Sequence, residues 1–119
     1  MIQLKIKTIE TVTLIKLIGV MDAKTTPAIQ QKILSIARPN SQIIFDMSQV
    51  VYMSSTGLRM LLLLYRTADF NNENLIMVGL TEEIRDMMSI TGFLDFFTTS
   101  ETVDLALASF QTNSLHSDR

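Results

Sequence analysis

Three consecutive hydroxyl side chains, Ser54, Ser55 and Thr56, form the segment of this chain with the clearest chemical potential. They lie between an apolar segment that predicts a strand, 42–47, and an apolar segment that predicts a helix from Leu58 onwards. Ser and Thr are favoured N-caps because a side-chain oxygen accepts from the free N–H groups of the first helical turn. Three hydroxyls are more than a cap requires. Because the positive end of a helix dipole also accepts a phosphate, the segment has the chemistry of a phosphorylation site, with capping alone as the alternative.

Other side chains give little support to catalysis. The only histidine, His116, lies in a polar C-terminal segment, so a Ser-His-Asp triad lacks a credible base. Asp22 and Asp46 lie at the ends of predicted strands, where solvated or loop-capping carboxylates are a simpler expectation than a magnesium pair. No phosphate-binding loop or dinucleotide fingerprint occurs in the sequence. We therefore expect no enzymatic activity, no metal and no cofactor; a small α/β enzyme or ligand binder that uses these acids is the competing hypothesis.

Composition narrows the class of protein. A chain of 119 residues with 47% hydrophobic residues predicts one domain with an ordinary core. A net charge of -2 argues against a nucleic-acid binder, and no apolar run reaches the ~18 residues of a membrane helix. The absence of cysteine excludes disulfides and thiolate chemistry. We expect a cytoplasmic protein without membrane insertion.

Hydrophobic periodicity predicts strands that alternate with helices. The predicted strands are 2–7, 11–18, 42–47, 75–80 and a short one near 96–98. The predicted helices begin within 25–27, at 58, within 81–83 and within 100–104, and they end before Pro39, near Phe70, at about 91–92 and near Phe110, with a turn at 71–74. This order predicts an α/β domain with a mixed four- to five-stranded sheet and about four helices packed on it. We expect the domain to span 1–112 and a polar C-terminal tail to span 113–119.

The helix after the hydroxyls is apolar on most of its circumference. At 100° per residue one face carries Leu58, Leu61, Leu62 and Tyr65, while Met60, Leu63 and Leu64 lie on other faces. Such a helix is buried on two sides or presents an adhesive surface, and the simpler interpretation is that Met60 and Leu63 pack beneath neighbouring loops. Ser55 lies on the side of Arg59 and Arg66, with Leu63 beside them. A partner that docks on this side would contact the hydroxyl, both cations and the aliphatic side chain together.

Four segments together carry a family resemblance. They are Gly19-Val20-Met21-Asp22, Ile43-Ile44-Phe45-Asp46-Met47-Ser48-Gln49-Val50, Met53-Ser54-Ser55-Thr56-Gly57-Leu58 and, more weakly, Met87-Met88-Ser89-Ile90-Thr91-Gly92-Phe93. In order and spacing the chain resembles a stand-alone STAS domain of the anti-sigma factor antagonist type, over roughly residues 2 to 110.

The resemblance implies a partner switch. Such domains bind an anti-sigma factor that is also a serine kinase, and binding releases the sigma factor. The kinase then phosphorylates the antagonist on one serine, the complex comes apart, and a PP2C-like phosphatase restores the active form. The matching acceptor is Ser55, with Thr56 and Ser54 as alternatives. Family members often carry Asp where this chain has Ser54, and Asp22 matches a family acid that helps to dock a kinase.

The predicted partner surface therefore combines the family match with the helical face. Its residues are Asp22, Ser54, Ser55, Thr56, Arg59, Leu63 and Arg66. An alternative function is a constitutive STAS scaffold subunit of a transporter or a stress-signalling complex, which an apolar surface formed by Met60, Leu63 and Leu64 would favour.

Overall fold

The structure is a computed structural model that describes residues 2–36, 42–67 and 75–117; of these, the side chains of Tyr65, Thr67 and residues 112–117 are not described. Its elements in chain order are β1 (Ile2–Ile9), β2 (Val12–Met21), α1 (Thr26–Ile36), β3 (Gln42–Met53), α2 (Ser55–Thr67), β4 (Leu75–Val78), α3 (Glu82–Ile90), a 3-10 turn (Leu94–Phe96), β5 (Thr98–Ser100) and α4 (Val103–Ser117). The five strands lie in the order β1-β2-β3-β4-β5. β1 is antiparallel to β2 and the other pairs are parallel, so the predicted mixed α/β architecture is confirmed. No helix in the described ranges is long and apolar enough to cross a membrane.

Two hydrophobic clusters hold helices on both faces of the sheet. The larger cluster joins Ile15 and Leu17 of β2 to α1, α2 and α3, through residues such as Ile33, Leu61 and Met88. The smaller cluster joins Val12 of β2, together with residues of β3 and β4, to Ala106 and Phe110 of α4. All four residues of β4 are buried because helices cover that strand on both sides.

β3 is twice as long as predicted. It runs from Gln42 to Met53, but its pairing with β4 ends at Asp46, so the second half pairs only with β2. Two register irregularities against β2 place Met47, Val50 and Met53 inward at a spacing of three residues. This spacing breaks the period of two that identifies a strand in sequence. Asp46 consequently lies within a strand and not at its end, which corrects the prediction.

Several other boundaries differ from the prediction. α2 begins at Ser55 instead of Leu58, because the hydroxyl segment itself forms the first turn. β5 spans Thr98–Ser100, two residues later than predicted, after the 3-10 turn. α4 continues to Ser117, so His116 lies on a helix, and the domain boundary at residue 112 remains a prediction. The predicted ends of α1 before Pro39 and of α2 near Phe70, and the turn at 71–74, lie outside the described residues.

α3 follows its sequence signals closely. The Thr81 hydroxyl accepts from the Ile84 N–H at 3.3 Å, and Glu82 and Glu83 lie in the first turn, where the helix dipole favours acids. The helix is followed by Gly92, whose φ of 80° is in the left-handed region. Local sequence therefore sets both ends of this helix.

A second glycine with positive φ fixes the path of the chain after β4. Gly79 has a φ of 71°, and a Cβ built on it would lie 2.8 Å from the Cβ of Ser48 on β3. Gly92 has a similar φ, yet a Cβ there would meet no atom within 4 Å. A comparison of alanine substitutions at the two glycines therefore distinguishes the free-energy cost of backbone strain from that of a steric clash.

We expect Gly79→Ala to lower the free energy of unfolding more than Gly92→Ala does. Both variants force alanine into the left-handed region, at roughly 1–2 kcal/mol. Only Gly79→Ala adds overpacking against Ser48, which typically costs about 1–3 kcal/mol more. Urea denaturation of the two variants and the parent measures the difference; equal losses would contradict the packing assigned to Gly79.

Candidate functional site

The start of α2 is attached directly to the end of β2. Met21, the last residue of β2, pairs in register with Met53, the last residue of β3. The next residue, Ser54, donates its N–H to the Met21 carbonyl at 2.8 Å. Because Met21 and Met53 are both buried, the hydroxyl segment begins from a rigid part of the sheet.

Ser54 is the N-cap of α2. Its Oγ accepts from the Gly57 N–H at 3.3 Å, and its carbonyl accepts the first intrahelical bond from the Leu58 N–H at 3.0 Å. The side chain is half-buried, which suits a residue with a structural role. Ser54 therefore meets the capping requirement, and capping does not explain its two neighbours.

Ser55 and Thr56 lie in the first turn of α2 with exposed side chains. In the described part of the chain, neither hydroxyl takes part in a hydrogen bond. The first turn also contains no acidic residue. An exposed hydroxyl at the positive end of a helix, without a neighbouring carboxylate, is accessible to modification by an anionic group.

Gly57 allows α2 to approach β2 closely. A Cβ built at this position would lie 2.9 Å from the Met21 carbonyl oxygen and 3.1 Å from the Met53 Cγ. The first distance is shorter than real Cβ contacts and the second is tighter than most of them, so a larger residue would push the helix start away from the sheet. The glycine in the predicted motif therefore serves packing, and it sets the position of the hydroxyls indirectly.

Asp22 lies at the same edge of the sheet, directly after Met21. Its Oδ1 accepts from the N–H of Lys24 at 2.9 Å and from the N–H of Thr25 at 3.1 Å. The Thr25 hydroxyl in turn bonds the Val20 carbonyl at 2.7 Å, which closes the loop before α1. The hydrogen bond from the Thr25 N–H is the main reason that the pKa of Asp22 is lowered from its ordinary value, although partial desolvation opposes it.

Asp46 does not share this site with Asp22. Its Oδ1 accepts from the Ser48 N–H at 3.0 Å and from the Ser48 hydroxyl at 2.7 Å, which is a local contact within β3 at its first register irregularity. Asp46 pairs in register with Lys16, six residues before Asp22, and at ~3.3 Å per residue the two acids are roughly 20 Å apart. Among the described residues no group of three or more metal-ligating side chains occurs.

The faces of α2 agree with the helical wheel in part. Ser55, Arg59 and Arg66 are exposed, and the Leu63 side chain beside them is 42% exposed. Leu58 and Leu61 are buried and Leu62 is half-buried, as predicted for the core face. Met60 and Leu64 are 2% and 0% exposed, so they belong to the core and the predicted apolar surface is reduced to Leu63.

Two exposed residues near the hydroxyls, one aliphatic and one aromatic, were not predicted from the sequence. Val51 and Tyr52 are 68% and 56% exposed on the extended end of β3, next to Met53. With Glu83, Ile84 and Met87 of α3 they line a small cavity of about 150 Å³. They were overlooked because the strand was predicted to end at Met47. Their position directly before the hydroxyl segment is the sequence feature that could have indicated them.

Comparison with known families follows this geometry. The sequence profile of the STAS domain matches residues 3–106. The chain belongs to the STAS domain family. The hydroxyl segment, its glycine and both acids lie inside the matched range.

Individual relatives agree with this assignment. The chain is 26% identical over 92 residues to a protein named anti-sigma-B factor antagonist from Staphylococcus epidermidis, covering 76% of this chain and 85% of the relative. Its fold matches an anti-sigma factor antagonist from Mycobacterium paratuberculosis with a TM-score of 0.82 at 24% identity, covering 93% and 95% of the two chains. It also matches the Bacillus cell fate determinant SpoIIAA in its phosphorylated form, with a TM-score of 0.64 at 17% identity, over 89% and 97%.

We expect Ser54→Ala and Ser55→Ala to differ in stability. Loss of the N-cap in Ser54→Ala should cost about 1 kcal/mol of the free energy of unfolding, within the usual range of about 0.5–2. Ser55→Ala removes no described contact and should change it by less than ~0.5 kcal/mol. Urea denaturation followed by circular dichroism measures both; the reverse order would show that Ser55 provides the cap.

A carboxyl titration by ¹³C NMR should give Asp22 a pKa below 3.8. Because the folded state lowers this pKa, Asp22 contributes stability above its unfolded pKa, and that stability is lost as the pH falls through the lower folded value. Thr25→Val removes the Thr25 hydroxyl but keeps its N–H, so the pKa should rise only part of the way back. An Asp22 pKa at or above 3.8 would contradict the loop geometry.

Proposed function

We propose that this protein is an anti-sigma factor antagonist that binds an anti-sigma factor with serine kinase activity and is released when Ser55 is phosphorylated. The observation that carries the proposal is the division of roles at the start of α2. Ser54 caps the helix, while Ser55 is exposed and forms no hydrogen bond with the described residues. Modification of Ser55 therefore removes no interaction on which the described fold depends. The relatives' names support an anti-sigma factor as the partner, and its serine kinase activity is what the family resemblance implies.

Phosphate at Ser55 would be tolerated by the domain itself. It adds about -1.5 to -2 charge at neutral pH, at the end of the helix where the dipole is positive. Arg59 lies one turn further along the same face and is exposed, within the spacing at which helical side chains interact. We expect the guanidinium to partly neutralise the phosphate.

The same charge acts differently inside a protein interface. A complex that covers Ser55 would have to desolvate the phosphate or provide a cation for it, which can cost several kcal/mol. A cost of about 2.8 kcal/mol weakens binding a hundredfold. One modification thus controls the partner without unfolding the antagonist, and a PP2C-like phosphatase would reverse it.

Ser54 replaces the acid that related proteins often carry before the acceptor. Serine and aspartate are comparably good N-caps, so the replacement keeps the helix start and removes a negative charge. Asp22 then supplies an acid at this edge of the sheet, ionised at neutral pH as an ordinary aspartate is. In this proposal Asp22 takes part in docking the kinase, together with Thr56, Arg59, Leu63 and Arg66.

In this proposal the protein acts by binding and not by catalysis, and it does so in the cytoplasm. It needs no cofactor, binds no nucleic acid and does not insert into a membrane. A constitutive STAS scaffold subunit remains the alternative function. This alternative depends on an apolar surface formed by three residues, of which Met60 and Leu64 are buried. Leu63 alone gives weaker support to a permanent interface.

Incubation with the cognate kinase and ATP, followed by tandem mass spectrometry, should place phosphate on Ser55. The Ser55→Ala variant should remain unphosphorylated, and Thr56→Ala is the matched control that should be phosphorylated as the parent is. Phosphate on none of the three hydroxyls would contradict the switch, and phosphate on Thr56 or Ser54 would reassign the acceptor.

Binding of the kinase to charge variants tests the consequence of phosphorylation. Ser55→Asp should weaken the complex at least tenfold more than Ser55→Ala, as measured by calorimetry, since only the first adds a charge to the interface. A complex that is indifferent to both substitutions would favour the constitutive scaffold.

A further inference from the structure

On one face of the sheet, a helix covers only one half. The other half, formed by β1 and β2, is basic. α4 packs mainly on β3, β4 and β5, through the smaller hydrophobic cluster. On β1, the exposed side chains of Lys5 and Lys7 point to the same side of the sheet as α4. This β1–β2 face is the surface formed by Gln3, Lys5, Lys7, Leu14, Lys16 and Ile18.

The alternation of the strands assigns these residues to one face. Ile15 and Leu17 belong to the larger cluster, so Leu14, Lys16 and Ile18 point to the opposite side, where Val12 meets α4. The antiparallel register pairs Lys5 with Lys16, Lys7 with Leu14, and Gln3 with Ile18. Directly paired residues of neighbouring strands lie on the same face, which places all three lysines together.

The pairing of Lys5 with Lys16 is electrostatically unfavourable. Cβ atoms of directly opposed residues are about 4.5–5.5 Å apart, and like charges at that distance destabilise a sheet. Within the described ranges none of the three lysines has an ion-pair partner. Asp46 on β3 pairs in register with Lys16 on this face, so its carboxylate partly offsets the charge of Lys16. The charges of Lys5 and Lys7, on the edge strand β1, have no acid in register with them. Glu10 follows β1, and Asp22 follows β2.

The dimensions of the β1–β2 face match one α-helix. Two strands at ~4.8 Å spacing present about 10 Å of sheet, and a helix with its side chains is ~10–12 Å across. Leu14 packs against the cluster that holds α4, and Leu14 and Ile18 are both half-buried. On β2, Lys16 lies between Leu14 and Ile18, and the other two lysines lie beside them on β1. This arrangement fits a helix with an apolar face and one acidic edge.

We propose that the β1–β2 face binds an acidic amphipathic helix of a partner protein, which would lie beside α4 on the sheet. The unpaired lysines provide the charge complementarity, and Leu14 and Ile18 provide the apolar contact. The surface lies on the opposite side of the sheet from α2, so its occupation does not depend on Ser55 or on the proposed function. Partner binding there would also relieve the repulsion between Lys5 and Lys16.

The test uses the full chain and a synthetic helical peptide of about four turns, with leucines on one face and glutamates along one edge. In ¹⁵N NMR titrations the peptide should shift the amides of β1 and β2, whereas the same peptide with lysine in place of glutamate should not. Lys5→Glu combined with Lys16→Glu should weaken binding at least tenfold. Lys24→Glu combined with Arg85→Glu is the matched control, because Lys24 lies in the loop before α1 and Arg85 on α3, outside the β1–β2 face, and it should change binding less than twofold.

Two further arms define the occupant. Ile18→Gln should weaken binding of the helical peptide but leave binding of unstructured polyglutamate unchanged. This result would show that the apolar face of the peptide contributes to binding. Shifts centred elsewhere, or equal effects of the two charge-reversal pairs, would overturn the site. Tighter binding of phosphatidylglycerol vesicles or a DNA duplex than of the helical peptide would overturn the proposed occupant. Circular dichroism of each variant confirms that a loss of binding is not a loss of fold.

Discussion

The hydrogen bond from the Ser54 N–H to the Met21 carbonyl, 2.8 Å long, determines the geometry of the candidate site. It joins the end of β2 to the first residue before α2, while Gly57 leaves the space for the helix to lie against the same carbonyl. Since Met21 is also followed directly by Asp22, this one junction brings the acid and the hydroxyls to the same edge of the sheet. The buried Met21 and Met53 side chains keep the junction rigid.

Because this junction is rigid, helix capping and exposure to a partner fall to different residues among the three adjacent hydroxyls. Ser54 satisfies the free N–H groups of the helix, and the exposed Ser55 forms no described contact. A charge added to Ser55 is therefore free to act on a partner instead of on the fold. In the proposed switch the helix dipole and Arg59 hold the phosphate within the domain, and the interface bears the electrostatic cost.

Sequence alone predicted the features that depend on local patterns. The five strands, the four helices, both ends of α3 and the exposed face of α2 all follow from periodicity and capping residues. It missed the second half of β3, because bulges change the inward spacing of Met47, Val50 and Met53 to three. It left open whether Met60, Leu63 and Leu64 are covered or form a surface, since a helical wheel does not show how wide a face the neighbouring α1 and β3 cover. The assignment of the cap to Ser54 required coordinates, because any of three adjacent hydroxyls fits the pattern.

The central claim is that a phosphate on Ser55 leaves the fold intact. Its most direct test is urea denaturation of protein carrying phosphoserine at position 55, beside the unmodified protein. We predict an unchanged free energy of unfolding, or a gain of about 0.3–1 kcal/mol from the helix dipole that disappears at high salt. A loss of more than ~1 kcal/mol would show that Ser55 supports the fold, and it would contradict the separation of cap and switch.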